Sequence, residues 1–278
     1  MLKQHGRYSP PQIRSRMRMS IGRFYFTWTR YVSWLVNWSK YAGTKQKEPL
    51  KFIIYNHQTP LLRKLRNVDM WLQQNKIRNL KIAAQCLNDI VIKPGETFSF
   101  WRVVGKPTKN KGYVKGMVLY NGSITPEVGG GLCQLSNLIY WMTLHTSLTV
   151  TERWRHSYDV FPDAERTQPF GSGATVAYNY VDLQIKNNTN EIYQLNVWVG
   201  DVHLHGQWRC SQPEKYYYRV YETNHIFTHE QWGGYMRHNI LRRKIFDISN
   251  NVIGDDYITE NHSVMIYAPL LSDGELNN

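Results

Sequence analysis

Cysteine is scarce: only Cys86, Cys133 and Cys210 occur among 278 residues, and they stand far apart. No pair has the close spacing of a zinc knuckle or a CxxC redox motif, and so small an odd number does not build the disulfide scaffold of a secreted domain. Acid is missing from the N-terminal end. Glu48 is the only acidic residue of the first 50, against Lys3, Arg7, Arg14, Arg16, Arg18, Arg23, Arg30, Lys40, Lys45 and Lys47. That imbalance supplies much of the formal net charge of +13 and suits an anionic membrane face or a phosphate polymer. Long apolar runs are lacking too. The best stretch, IGRFYFTWTRYVSWLVNW from Ile21, is interrupted by Arg23 and Arg30, so it reads as neither a secretory signal nor a membrane span. Its mixture of Phe, Tyr, Trp and Arg matches a helix lying along a membrane interface. These absences give the expectation of a cytoplasmic protein whose residues 1–48 make peripheral contact with the inner membrane face. Nucleic acid is the weaker partner, because no recognition motif accompanies the charge.

What the chain does have is core-forming material, 42% hydrophobic with 14% aromatic residues. Three regions are expected: a basic, aromatic-rich arm over 1–50, a main domain over 51–210, and a C-terminal extension with strands over 211–278. Leu72, Ile77, Leu80, Ala84 and Leu87 recur at helical spacing and predict a helix between Asn67 and Asp89. Pro94-Gly95 marks a turn, TFSFW a short strand, and Asn121-Gly122 a hairpin between MVLY and SIT. A second helix is predicted from Leu132 to about Leu148. The alternation of ATVAYNYVDLQIK, IYQLNVWVG and VHLHGQW predicts strands, with more near RKIFDIS and SVMIYAP. The fold class is α+β, with early helices and a cysteine-bearing helix packed on a mainly antiparallel sheet.

The chemistry concentrates in VGGGLCQLSN, residues 128–137. Leu132, Leu135, Ile139 and Met142 form one apolar stripe, and Cys133 lies off it, in line with Asn137, Tyr140 and Leu144. A thiol at a helix N-terminus sits where unpaired amides favour the thiolate. His156, in RWRHSYDVFPD, is the candidate base, because His145 is about three turns along the same helix and too distant. Asp182, on a predicted strand, or Asp163, in a turn, would orient the imidazole. Gly129, Gly130 and Gly131, with the backbone at Gln134, would admit a substrate and hold an oxyanion. The opposing reading is a buried cysteine used for packing beside an ordinary glycine turn. His203 and His205 share a strand face but have no further metal ligands nearby. Neither reading calls for a metal or a cofactor.

The segments PGETFSFWRVVG (94–105), NGSITPEVGGGLCQLSNLIYWMTLHTSLTVTER (121–153) and VDLQIKNNT (181–189) resemble the VanW family over roughly residues 50–210. That resemblance implies a glycopeptide-resistance and cell-envelope context, with a peptide or cell-wall precursor as partner. Combined with the Cys, His, Asp order, it implies a thiol acyltransferase or amidase acting through a thioester. The alternative is a non-catalytic accessory or binding module at the inner membrane face with a structural Cys133. Where the family pattern reads GxDATV, this chain has GSGATV, with Gly173 in place of the aspartate, so Asp182 or Asp163 would have to take its part.

Overall fold

The computed structural model describes residues 14–62, 69–120, 122–160 and 168–267. In chain order they form α1 (Arg16–Val36), β1 (Phe52–Pro60), α2 (Met70–Leu87), β2 (Ile90–Ile92), β3 (Thr97–Ser99), α3 (Phe100–Val104), β4 (Lys115–Tyr120) and β5 (Ser123–Val128). Then follow α4 (Cys133–Thr143), β6 (Thr149–Glu152), β7 (Tyr158–Asp159), β8 (Gln184–Lys186), β9 (Tyr193–Val199), β10 (His203–Cys210), β11 (Tyr217–His229), β12 (Tyr235–Phe246) and β13 (Val252–Met265). The class is α+β.

The alternation of HLHGQWRC places Leu204, Gly206, Trp208 and Cys210 on the inner face of β10, as a period-two pattern requires. β10 lies between β1 and β9 in an antiparallel sheet of order β1-β10-β9-β2. α2 covers β9, and α4 covers β10 and β1. Gly206 sets how closely α4 approaches: a methyl group there would come within 2.7 Å of Met142 Cε. Beside it, the Trp208 indole N–H donates to Thr143 Oγ1 at 3.1 Å. Leu132, Leu135, Ile139 and Met142 are all buried in this layer.

Around this layer lie the three-stranded sheet β3-β8-β6 and the β4–β5 hairpin. The hairpin closes at Gly122, which has φ +78°, with Tyr120 paired to Ser123; Asn121 of the predicted turn lies outside the described residues. A C-terminal sheet of order β11-β12-β13-β7 takes β7 in parallel beside β13.

Three local expectations are corrected. The predicted TFSFW strand stops at Ser99, whose Oγ accepts from the Arg102 N–H and caps α3. The strand expected over ATVAYNYVDLQIK survives only at Gln184–Lys186. Upstream of it, backbone groups at Ala174 and Val176 are taken by α4 side chains, which removes them from any ladder. Finally, α4 ends at Thr143 rather than near Leu148. There the Thr146 hydroxyl bonds to the Thr143 carbonyl and the Leu148 N–H bonds to that hydroxyl, a local competition that threonine and serine offer to a helix.

Candidate functional site around Cys133

Cys133 opens α4 directly after the glycine turn. Of the residues in line with it, Tyr140 and Leu144 are buried, at 1% and 3% exposure, while Asn137 is exposed and Cys133 itself is half-buried. The thiol donates to the Val176 carbonyl at 3.7 Å. Burial pushes it up from the ordinary cysteine range, against a smaller opposing effect of that contact. Two neighbours on the same helix face do similar work. Ser136 Oγ donates to the Ala174 carbonyl at 2.6 Å, and Asn137 Oδ1 accepts from the Ala174 N–H at 2.7 Å. Cys133, Ser136 and Asn137 thus hold the segment Gly173–Val176 against the first turns of α4. A Cβ on Gly173 would lie 2.7 Å from Asn137 Oδ1, so Asn137 fills the space at the position where the family pattern carries aspartate.

The three glycines are shaped by what packs on them. Gly129 and Gly131 have φ of +81° and +94°, a region costly to any other residue. A Cβ on Gly130 would meet the Gly116 backbone at 2.2 Å, and one on Gly131 would meet Lys76 Cγ at 2.2 Å. Asn79 of α2 fastens the turn: its Nδ2 donates to the carbonyls of Gly130 and Val114, and its Oδ1 accepts from the Val114 N–H. Gln134 is tied to the end of β1, its Nε2 donating to Thr59 Oγ1 at 3.0 Å and to the Pro60 carbonyl at 2.8 Å.

His156 lies between β6 and β7. Burial, then the neighbouring Arg155 charge, lower its pKa below the ordinary imidazole value. Among the described residues, no hydrogen bond or ion pair joins it to Cys133. Asp163 lies outside the described residues. Asp182 is fully buried and its hydrogen bonds are committed elsewhere. Oδ2 accepts from Ser99 Oγ at 2.6 Å and Gln184 Nε2 at 3.3 Å, and Oδ1 accepts from the N–H groups of Trp101 and Leu183 at 3.0 Å each. Burial raises its pKa to about 6, against the lowering effect of the Ser99 and Trp101 bonds. Two of the motifs quoted above, FSFW and VDLQ, therefore meet each other through this carboxylate. His205 stacks on Trp198 with ring centres 5.1 Å apart. Among the described residues no group of three metal-ligating side chains is assembled.

Sequence reading passed over the charges that knit these parts together. Glu152 accepts from Arg30 of α1 at 2.6 Å and from the Asp182 N–H at 3.3 Å. Arg153 donates to the carbonyls of Gly173 and Gly171, reaches toward Asn261 of β13, and lies over the Tyr140 ring at 5.0 Å. In the sequence Arg30 is one basic residue of a charged segment and an interruption of an apolar run, with no partner in view. Pairing across so many residues leaves no local trace.

The family profile described as VanW like protein matches residues 75–209. The vancomycin B-type resistance protein VanW of Enterococcus faecalis is 35% identical over 205 residues, covering 74% of this chain and 74% of that protein. The chain belongs to the VanW family. A second relative, the uncharacterized protein YoaR of Bacillus subtilis, is 31% identical over 118 residues, which cover 42% of this chain and 37% of that protein. No solved structure matches the chain. The family profile spans Cys133, the glycine turn, His156 and Asp182, whereas α1 and the strands β11 to β13 lie outside the residues it matches.

Proposed function

We propose that this chain is a non-catalytic accessory module in the vancomycin-resistance context of its VanW relatives, binding a peptide or cell-wall precursor, with Cys133 as a structural residue. The observation that carries the reading is the setting of the thiol. A nucleophilic cysteine needs its thiolate, which a cationic or imidazole neighbour stabilises. Here burial favours the neutral thiol, and that thiol donates to the Val176 carbonyl. An oxyanion hole needs amides facing open space. The Gly129 and Gly130 amides already donate to the Val114 and Glu127 carbonyls, at 3.0 Å each, and Gly116 and Lys76 pack against Gly130 and Gly131.

The rival reading, a thiol acyltransferase or amidase, requires His156 to reach Cys133 and lower its pKa. Alkylation by iodoacetamide separates the two in a Cys86→Ser/Cys210→Ala background. The expected outcome is negligible native reactivity of Cys133 from pH 6 to 8, full reactivity in denaturant, and no effect of His156→Ala. Rapid alkylation of the folded protein at pH 6–7, slowed by His156→Ala, would overturn the accessory reading.

A further inference from the structure

α1 has two faces of different kinds. One is docked. The Arg30 guanidinium pairs with Glu152 at 2.6 Å, the Thr27 carbonyl accepts from Asn179 at 3.3 Å, and Trp34 is buried at 8% exposure. At 100° per residue these three positions fall within an arc of about 60°. The other face points away from the domain. Met17, Ile21, Phe24, Trp28, Val32 and Leu35 fall within about 80° of one another, and their exposures run from 56% to 74%. Scattered exposed apolar residues are ordinary, but a contiguous stripe along a 21-residue helix marks a surface that meets something.

Charge identifies what it meets. Arg14, Arg16, Arg18 and Arg23 surround the N-terminal half of this helix, and no acid occurs before Glu48. A second copy packed face to face would bring more arginine and no carboxylate to pair with it. Phospholipid offers both missing elements, an apolar layer for the aromatic stripe and phosphates for the guanidinium groups. No described helix is long and apolar enough to cross a membrane. The docked face of α1 also holds it flat against the domain, which leaves the stripe to lie in the plane of the interface.

We propose that the outward face of α1 is an interfacial anchor that seats the domain on an anionic phospholipid surface. This inference stands apart from the role of Cys133. Co-sedimentation of the full chain with vesicles of phosphatidylcholine, with or without a quarter phosphatidylglycerol, tests it. Binding is expected to the anionic vesicles at low salt. It should fall about tenfold or more in 0.5 M salt and on pure phosphatidylcholine. Phe24→Ser/Trp28→Ser/Leu35→Ser should lower binding by about a hundredfold or more and leave the thermal midpoint unchanged, because these side chains face outward. Arg14→Glu/Arg18→Glu should weaken binding to anionic vesicles selectively. Failure of the full chain to bind, or equal binding by the triple apolar variant, overturns the proposal. So does a dimer in light scattering that the same variant dissolves while vesicles stay unbound.

Discussion

Replacing Asp182 by asparagine tests whether this carboxylate is a buried structural group. Its pKa stands at about 6 against an ordinary 3.8, chiefly through burial, a difference equivalent to roughly 3 kcal/mol. A raised carboxyl binds its proton more tightly folded than unfolded. Its contribution to stability is full below about pH 3.8 and is lost as pH rises through about 6. Asparagine removes that dependence and adds a cost of its own. Four donors converge on the carboxylate, from Ser99, Trp101, Leu183 and Gln184, and an amide has one acceptor oxygen for them. Misplacing its NH2 group among these donors costs about 1–3 kcal/mol. Asp182→Asn is therefore expected to be less stable than the native chain near pH 4, with the gap closing by up to about 3 kcal/mol by pH 7. Urea unfolding followed by tryptophan fluorescence at four pH values between 4 and 7 measures it. A carboxylate orienting an imidazolium would carry a depressed pKa, and the gap would then widen with rising pH. A constant or widening gap would refute the reasoning.

Two further substitutions probe the frame around the site. Gly130→Ala sets a methyl group 2.2 Å from the Gly116 backbone, which no side-chain rotation relieves. A loss of about 3 kcal/mol or more, or failure to fold, is expected, whereas Gly43→Ala, with nothing within 4 Å, should stay within about 0.5 kcal/mol. Equal behaviour in thermal unfolding would contradict the packed-turn account. Arg30→Ala leaves the half-buried Glu152 without its cation and should cost about 1–3 kcal/mol. It should also loosen α1, read as faster tryptic cleavage at Lys40. Unchanged cleavage would mean that Trp34 and the surrounding contacts hold the helix without the ion pair.

Much of the architecture was legible because it rests on local rules. The leucines of α2 and α4 repeat at helical spacing, β9 and β10 alternate, and Gly122 takes the positive φ of the turn between the paired Tyr120 and Ser123. The failures have a common cause. Ala174–Leu183 alternates like a strand, but the Ala174 N–H and the Ala174 and Val176 carbonyls are claimed by Cys133, Ser136 and Asn137 from a distant helix, and Ala177 and Val181 bond to each other. Asp182, expected on a strand to orient an imidazole, is a buried carboxylate with a different role. Its reason is the α3 N-terminus, more than 80 residues away in the chain.

By itself, then, the sequence determined the α+β class, the positions of most helices and strands, the VanW kinship, and the basic, aromatic character of the N-terminal segment. Each follows from composition, periodicity or a contiguous motif. Only the tertiary structure decided what the notable residues face. A triple glycine before a cysteine can open a site or admit a neighbour, and the difference lies in Gly116 and Lys76, which come from other elements. The aromatic run likewise becomes an outward stripe only because Arg30 and Trp34 turn the opposite face of α1 into the domain. Side-chain periodicity assigns residues to faces. Which face meets protein, solvent or a partner depends on contacts that close only when distant segments of the chain have packed.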